Sequence, residues 1–246
     1  MWSQFLHLAW NGLEWSPCTY GKSSPRMKIG VSRVAAVLCA VAAAVTGLVT
    51  YAPAAEHPVN IVAFGDSLTA GYGLRASEAF PEQLQRALDA KGLAVKVVNA
   101  GVSGDTAAAG LSRLDWSVPD GTQAVILELG ANDALRGLDP EITRKALDTI
   151  LRRLKARRIS VLLCGMIAPP NLGSEYGRAF NSIYPDLANE TGAILYPFFL
   201  TGVAADPKLN QRDGLHPTAA GIAAIVERIL PYVEELVTRA KASHAP

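Results

Sequence analysis

The sequence predicts an α/β fold, a parallel sheet with helices on both faces. Three observations carry that prediction. From residue 59 onward, short apolar runs alternate with stretches of helical period. The apolar runs are continuous rather than alternating, as expected of strands buried on both faces. The strand–helix unit recurs five times, which calls for parallel pairing through crossover helices.

Taken in order, the first strand is Val59–Phe64, and it ends abruptly in Gly65-Asp66-Ser67. The pattern at Glu78–Ala90 predicts the first helix, and Val95–Asn99 the second strand. Thr106–Leu114 is helical, and Ala124–Leu129 is the third strand. Glu141–Arg157 is a helix followed by the fourth strand, Val161–Cys164. Glu175–Gly192 is helical, with a break expected at Pro185, and Ala193–Tyr196 is the fifth strand. Thr218–Arg239 closes the domain, and Pro231 within it predicts a kink or a new start. Two long loops, Met166–Gly177 and Pro197–Pro217, follow strands four and five. Open α/β sheets bind ligands at those C-terminal strand ends. Met166, Ile167, Phe198, Phe199 and Leu200 in these loops could wall an acyl or aryl group or serve the core.

The 246 residues, half of them hydrophobic, suffice for one sizeable core. The first 54 residues read differently. Met27 opens a stretch with Lys28 and Arg33, residues 34–49 are apolar throughout, and Ala52-Pro53-Ala54 offers small residues for cleavage. Together these predict a secretory signal peptide over 27–54 and a periplasmic destination. The apolar run is shorter than the ~20 residues a spanning helix needs. No stable membrane span is therefore expected after cleavage, although a retained signal anchor stays open. Counted from Met1 the leader would be too long, so residues 1–26 are expected to be a non-native upstream extension, and 55–246 a single domain. From Ala55 on, the chain carries 19 Lys or Arg and 21 Asp or Glu, a formal net charge of −2. That balance excludes nucleic acid as an expected partner. The run Arg152, Arg153, Lys155, Arg157 and Arg158 reads as a solvated helix face. Cys164, the one cysteine beyond the leader, reads as a buried structural thiol. No feature specifies an oligomer, and a monomer is the default.

Ser67, at the end of a buried strand, is either a helix cap or a nucleophile. A serine hydroxyl needs a base, and histidine is the usual one at neutral pH. The chain has four histidines, and His216 alone lies in a structured segment. Asp213, three residues earlier across Gly214, could accept the imidazole Nδ1 proton and orient the ring. An oxyanion needs donors. Gly101 after strand two, Asn132 after strand three and the Ser67 N–H at a helix start are candidates. Each has a bland alternative as a turn or capping residue. In a flavodoxin-like strand order, 2-1-3-4-5, the strands preceding Ser67, Gly101 and Asn132 are adjacent. The switch point lies between strands one and three, so one crevice gathers all of these residues.

Gly65-Asp66-Ser67-Leu68, Gly101, Gly130-Ala131-Asn132-Asp133 and Asp213-Gly214-Leu215-His216-Pro217 resemble the four blocks of the SGNH, or GDSL, hydrolases. The resemblance spans residues 59 to about 237 and is nearest to the arylesterase and multifunctional acyl-CoA thioesterase/lysophospholipase group. It implies the SGNH-hydrolase fold, a three-layer α/β/α sandwich, and a serine esterase or thioesterase without cofactor or metal. It further implies Ser67 as nucleophile, His216 as base, Asp213 as its partner, and the Ser67 N–H, Gly101 N–H and Asn132 amide as the oxyanion hole. The substrate would be a small-molecule acyl ester or thioester. Ala134 departs from the glycine many such proteins carry. An acetylated-carbohydrate esterase and a binding module with an idle site remain as alternatives.

Other motifs carry less. Gly71–Ala76 mimics a dinucleotide turn but starts too far after its strand. No Gly-x-Ser-x-Gly elbow is present. Asp66, Asp133, Asp213 and His216 could in principle hold a metal, but they lack a histidine-rich ligand set. Asp66 and Asp133 read better as turn formers. Glu128, inside an apolar strand, requires a hydrogen-bond partner that the sequence does not identify.

Overall fold

In the computed structural model, residues 57–244 are described, and the unit they belong to runs from Ala55 to Pro246. The expectations for residues 1–26 and 27–54 lie outside the described residues. Five strands form one parallel sheet in the order β2-β1-β3-β4-β5: β1 Val59–Gly65, β2 Val95–Gly101, β3 Ala124–Glu128, β4 Ser160–Cys164 and β5 Ile194–Tyr196. Register pairs Gly65 with Gly101 on one side and with Glu128 on the other. The C-terminal ends of three strands therefore meet at one edge.

Short helices follow two of those ends, α1 (Ser67–Ala70) after β1 and α4 (Ala131–Leu135) after β3. The longer helices are α2 (Phe80–Ala90), α3 (Ala107–Ser117), α5 (Pro140–Ala156), α6 (Ser174–Asn181), α7 (Ile183–Thr191) and α8 (Ala219–Ser243). The core lies between sheet and helices, with Ile61, Phe64, Phe80, Leu84, Leu127, Leu162 and Phe180 among its fully buried residues. Cys164 belongs to it, and desolvation pushes its thiol well above the ordinary range.

Three local expectations need correction. Strand β2 is not buried on both faces: Lys96, Val98 and Asn99 are exposed, because β2 is the sheet edge. The helix carrying Pro185 breaks upstream, at Ser182. Proline cannot donate to the carbonyl four residues back and its ring crowds it, so Pro185 falls in the first turn of a new helix, where no N–H is missed. Helix α8, by contrast, continues through Pro231 as one element. Its buried stripe, Ile225, Ile229, Val233, Leu236 and Ala240, keeps phase across the proline. Pro231 and Glu227, whose carbonyl loses its donor, are both on the exposed side.

The basic run at the end of α5 faces outward as expected, and three of its five residues are ion-paired. Arg152 meets Asp148, Arg153 meets Asp115, and Arg157 meets Asp120. Among the described residues no helix is long and apolar enough to cross a membrane.

Candidate active site

The strand-to-helix turn after β1 positions Ser67. Asp66 caps α1, its Oδ1 accepting the Leu68 N–H at 3.0 Å, so Ser67 becomes the first helical residue. Ser67 is almost buried, and its Oγ lies 3.0 Å from His216 Nε2. His216 Nδ1 lies 2.7 Å from Asp213 Oδ2. A carboxylate only accepts, so Nδ1 carries the proton of that bond and Nε2 is left to accept from Ser67. Asp213 Oδ1 accepts the N–H of His216 at 3.0 Å and of Leu215 at 2.9 Å. Those two backbone donors, then the imidazole, hold the Asp213 carboxyl down to about 2. Asp213 therefore stays ionised beside the ring throughout the neutral range.

The loop that delivers His216 is pinned from both sides. Gln211 N–H donates to the His216 carbonyl at 2.7 Å, and its Nε2 donates to Tyr72 O at 2.7 Å and Pro217 O at 3.0 Å. The Thr218 N–H donates to Leu209 O at 2.8 Å. The Tyr72 ring sits over the imidazole, centroids 4.6 Å apart. Neither Gln211 nor Tyr72 is singled out by sequence reasoning. A signal existed for Tyr72, an aromatic within the glycine-rich turn after Ser67.

On the opposite side stands Asn132, second residue of α4. Its Nδ2 donates to Asp66 Oδ2 and to Asp105 O, each at 3.0 Å. Asp133, next to it, is fully buried. It accepts from Ala107 N–H at the start of α3 and from Thr143 Oγ1, both at 2.9 Å, which locks α4 to its neighbours. Asp66 and Asp133 are thus acceptors that fix the site loops.

The structure gives Gly101 a different part from the expected one. Its N–H donates to Asn99 Oδ1 at 3.0 Å. Glycine is required there because a Cβ would strike the backbone N of Ala70. The amide of Gly104, three residues on, has no acceptor among the described residues, and neither has that of Ser67. Gly104 sits in a turn at φ +86°, and Arg136 Nη2 donates to its carbonyl at 2.9 Å. Its neighbour Asp105 is tied to Asn132. Arg113, also missed, stitches this region together. Its guanidinium meets Asp105 Oδ2 at 2.5 Å and donates to Gly65 O and Ala100 O at 2.9 Å, stacked over the Phe64 ring. Its place on helix α3 gave no hint of burial.

A cavity of about 530 Å³ opens beside Ser67, Asn132 and His216. That size suits a small organic ligand. Its walls include Ala134, Leu135, Met166, Ile167, Phe198 and Leu200, four of the five loop residues read as possible walls. Phe199 does not line it. It is fully buried edge-on against Phe80, centroids 5.1 Å apart, and belongs to the core. Among the described residues no group of three His, Cys, Asp or Glu is arranged to hold a metal ion.

A serine, an imidazole and a carboxylate in hydrogen-bond sequence at the mouth of an apolar cavity define a serine-hydrolase type of site. Comparison with known proteins agrees. Residues 63–224 match the GDSL-like Lipase/Acylhydrolase family, and the chain belongs to that family. It is 37% identical over 179 residues to Esterase TesA of Pseudomonas aeruginosa, covering 72% of this chain and 89% of that protein. It is 39% identical over 191 residues to Thioesterase 1/protease 1/lysophospholipase L1 of Escherichia coli strain K12, covering 77% and 89%. Among solved structures, the SGNH-hydrolase family esterase AlinE4 matches with a TM-score of 0.63 and 48% identity, over 74% of this chain and 98% of that one. The fold is that of the SGNH hydrolases, and the chain is an ester-hydrolysing enzyme.

Proposed function

We propose that the enzyme hydrolyses carboxylic esters or thioesters of small acyl substrates through an acyl-enzyme on Ser67. Ser67 Oγ attacks the acyl carbon while its proton passes to His216 Nε2. The imidazolium so formed is stabilised by the ionised Asp213. Collapse of the tetrahedral intermediate breaks the bond to the alcohol or thiol, which leaves with the proton from Nε2. Water then repeats the sequence, giving its proton to His216 as its oxygen forms the new bond to carbon, and Ser67 is regenerated. The observation that carries this reading is the continuous contact Ser67 Oγ to His216 Nε2 and Nδ1 to Asp213 Oδ2. A binding module with an idle site would have no need of it.

For the oxyanion we assign the Ser67 N–H, the Asn132 Nδ2 and the Gly104 N–H, the last in place of Gly101. Gly101 has given its N–H to Asn99, whereas Gly104 and Ser67 have theirs uncommitted among the described residues. Asn132 turns one of its two N–H bonds to the substrate, and the other stays on Asp66 or Asp105. The apolar walls favour an acyl or aryl group over an acetylated sugar. We further propose export through residues 27–54, with cleavage after Ala54 and a periplasmic site of action. N-terminal sequencing of exported protein tests that.

The function is tested by a panel of p-nitrophenyl esters, acyl-CoA thioesters, lysophospholipid and acetylated sugars, run with wild type and Ser67→Ala. Turnover of the first three classes, abolished in Ser67→Ala, is expected. Preference for acetylated sugars would contradict the substrate class. Activity lost to EDTA but kept by Ser67→Ala would contradict the mechanism.

A further inference from the structure

Glu128, the last residue of β3, is the buried acid that the mechanism leaves unused. Its side chain is sealed from solvent. Oε2 accepts from Thr69 Oγ1 at 2.7 Å and from the Asp66 N–H at 3.3 Å. Oε1 has no N–H or hydroxyl donor among the described residues. The Asp66 N–H on Oε2 sets the Glu128 carboxyl directly beside Asp66, and both acids are sealed from solvent. Two ionised carboxylates side by side and sealed from water repel strongly, so one of the pair carries a proton. The other titratable groups facing the pair are His216 from the cavity side and the buried Cys164 and Tyr184 from β4 and α7. Arg113 of α3, whose guanidinium binds Gly65 O next to Asp66, is committed to Asp105, so it does not compensate a second negative charge on the pair.

The proton belongs on Glu128. Asp66 has donors suited to a carboxylate: the Leu68 N–H on Oδ1 and Asn132 Nδ2 on Oδ2. Glu128 has the oxygen that lacks any donor, which an O–H there would resolve. Burial and the neighbouring Asp66 charge push Glu128 well above the ordinary carboxylate range, and burial raises Asp66 only to about 6.

We propose that Glu128 is a neutral acid at working pH, that its Oε1–H donates to the Asp66 carboxylate, and that this bond fixes the oxygen holding the Asn132 amide at the oxyanion position. Glu128 is then a positioning residue that acts through Asp66 on a group two steps away. The inference rests on the reading of Asn132 as an oxyanion donor.

The test pairs infrared spectroscopy with kinetics on wild type, Ser67→Ala, Glu128→Gln and Glu128→Leu. At about pH 8, where free carboxyls are ionised, wild type and Ser67→Ala are expected to show the C=O stretch of one protonated carboxylic acid. Glu128→Gln should lack it. Glu128→Leu should lower kcat on a p-nitrophenyl ester about tenfold to a hundredfold, less than loss of an oxyanion donor itself, with KM changed by less than about threefold. Glu128→Gln supplies an N–H in place of the O–H and should recover most of that loss. A wild type without the protonated-acid band, or Glu128→Gln as impaired as Glu128→Leu, would overturn the proposal. Should Glu128→Leu fail to fold, the band and the kcat of Glu128→Gln against wild type decide. Undiminished turnover by Ser67→Ala would overturn the reading of the site instead, and the band would still judge the proton on Glu128.

Discussion

Asp213 shows how little burial a residue needs to be fixed in one charge state. It is more than a third exposed at the side chain, yet three hydrogen bonds from two adjacent residues hold it ionised. Its depressed value means that whatever stability it lends is complete above pH about 4 and lost only as pH falls towards 2. Loss of activity in mildly acidic solution is therefore not expected to come from Asp213. Asp213→Asn is expected to lower kcat by about 10²–10⁴ with little change in KM, since it removes the proton acceptor that sets the imidazole tautomer. Asn132→Ala should cost about 10²–10³ in kcat. A crystal structure with a phosphonate on Ser67 should place the phosphonyl oxygen about 2.7–3.1 Å from the amides of Ser67 and Gly104 and from Asn132 Nδ2. A bond from Gly101 N–H would contradict the assignment. The sequence made Ser67, His216 and Asp213 legible, because a reacting hydroxyl narrows its partners by chemistry and the chain holds few histidines. It could not separate Gly101 from Gly104. Both are glycines near one strand end, and what distinguishes them is the close approach of Ala70 and the side chain of Asn99.

At the scale of elements, strand cores were readable because a doubly buried strand leaves an uninterrupted apolar run. Edge exposure was not, since β2 differs from β1 in neighbours rather than in local pattern. The same limit governs the loop after β5. Phe198 and Phe199 are adjacent and chemically identical, yet one walls the cavity and the other fills the core against Phe80. Phe199→Ala is expected to cost about 3–5 kcal/mol of stability, read by denaturant unfolding. Phe198→Ala should leave stability within about 1 kcal/mol and alter KM across esters of increasing acyl length. Equal loss of stability in the two would contradict the division. Arg113→Ala, which strands Asp105 and frees the carbonyls of two strand ends, should cost about 3–5 kcal/mol, measured the same way.

For the molecule as a whole, the strand order brings Ser67, Gly104, Asn132 and the Asp213–His216 pair from four separate stretches of chain to one edge. It also buries two acids beneath them. Asp66 has its value raised from 3.8 to about 6 by burial, so the folded state binds its proton more tightly than the unfolded chain. Stability from this group is present below pH about 4 and declines as pH rises through about 6. Thermal denaturation of Asp66→Asn should accordingly show a flatter dependence on pH between those values than wild type. An unchanged slope would contradict the burial argument. Neither acid's state could be read from sequence, because their contact joins residues 62 apart across paired strands.

The central claim is that the acyl group passes through Ser67. Mass spectrometry of enzyme quenched during turnover of a p-nitrophenyl ester tests it most directly. The expected result is one acyl group on the peptide that carries Ser67, absent from Ser67→Ala. An acyl group on any other residue, or wild-type turnover by Ser67→Ala, would contradict the account.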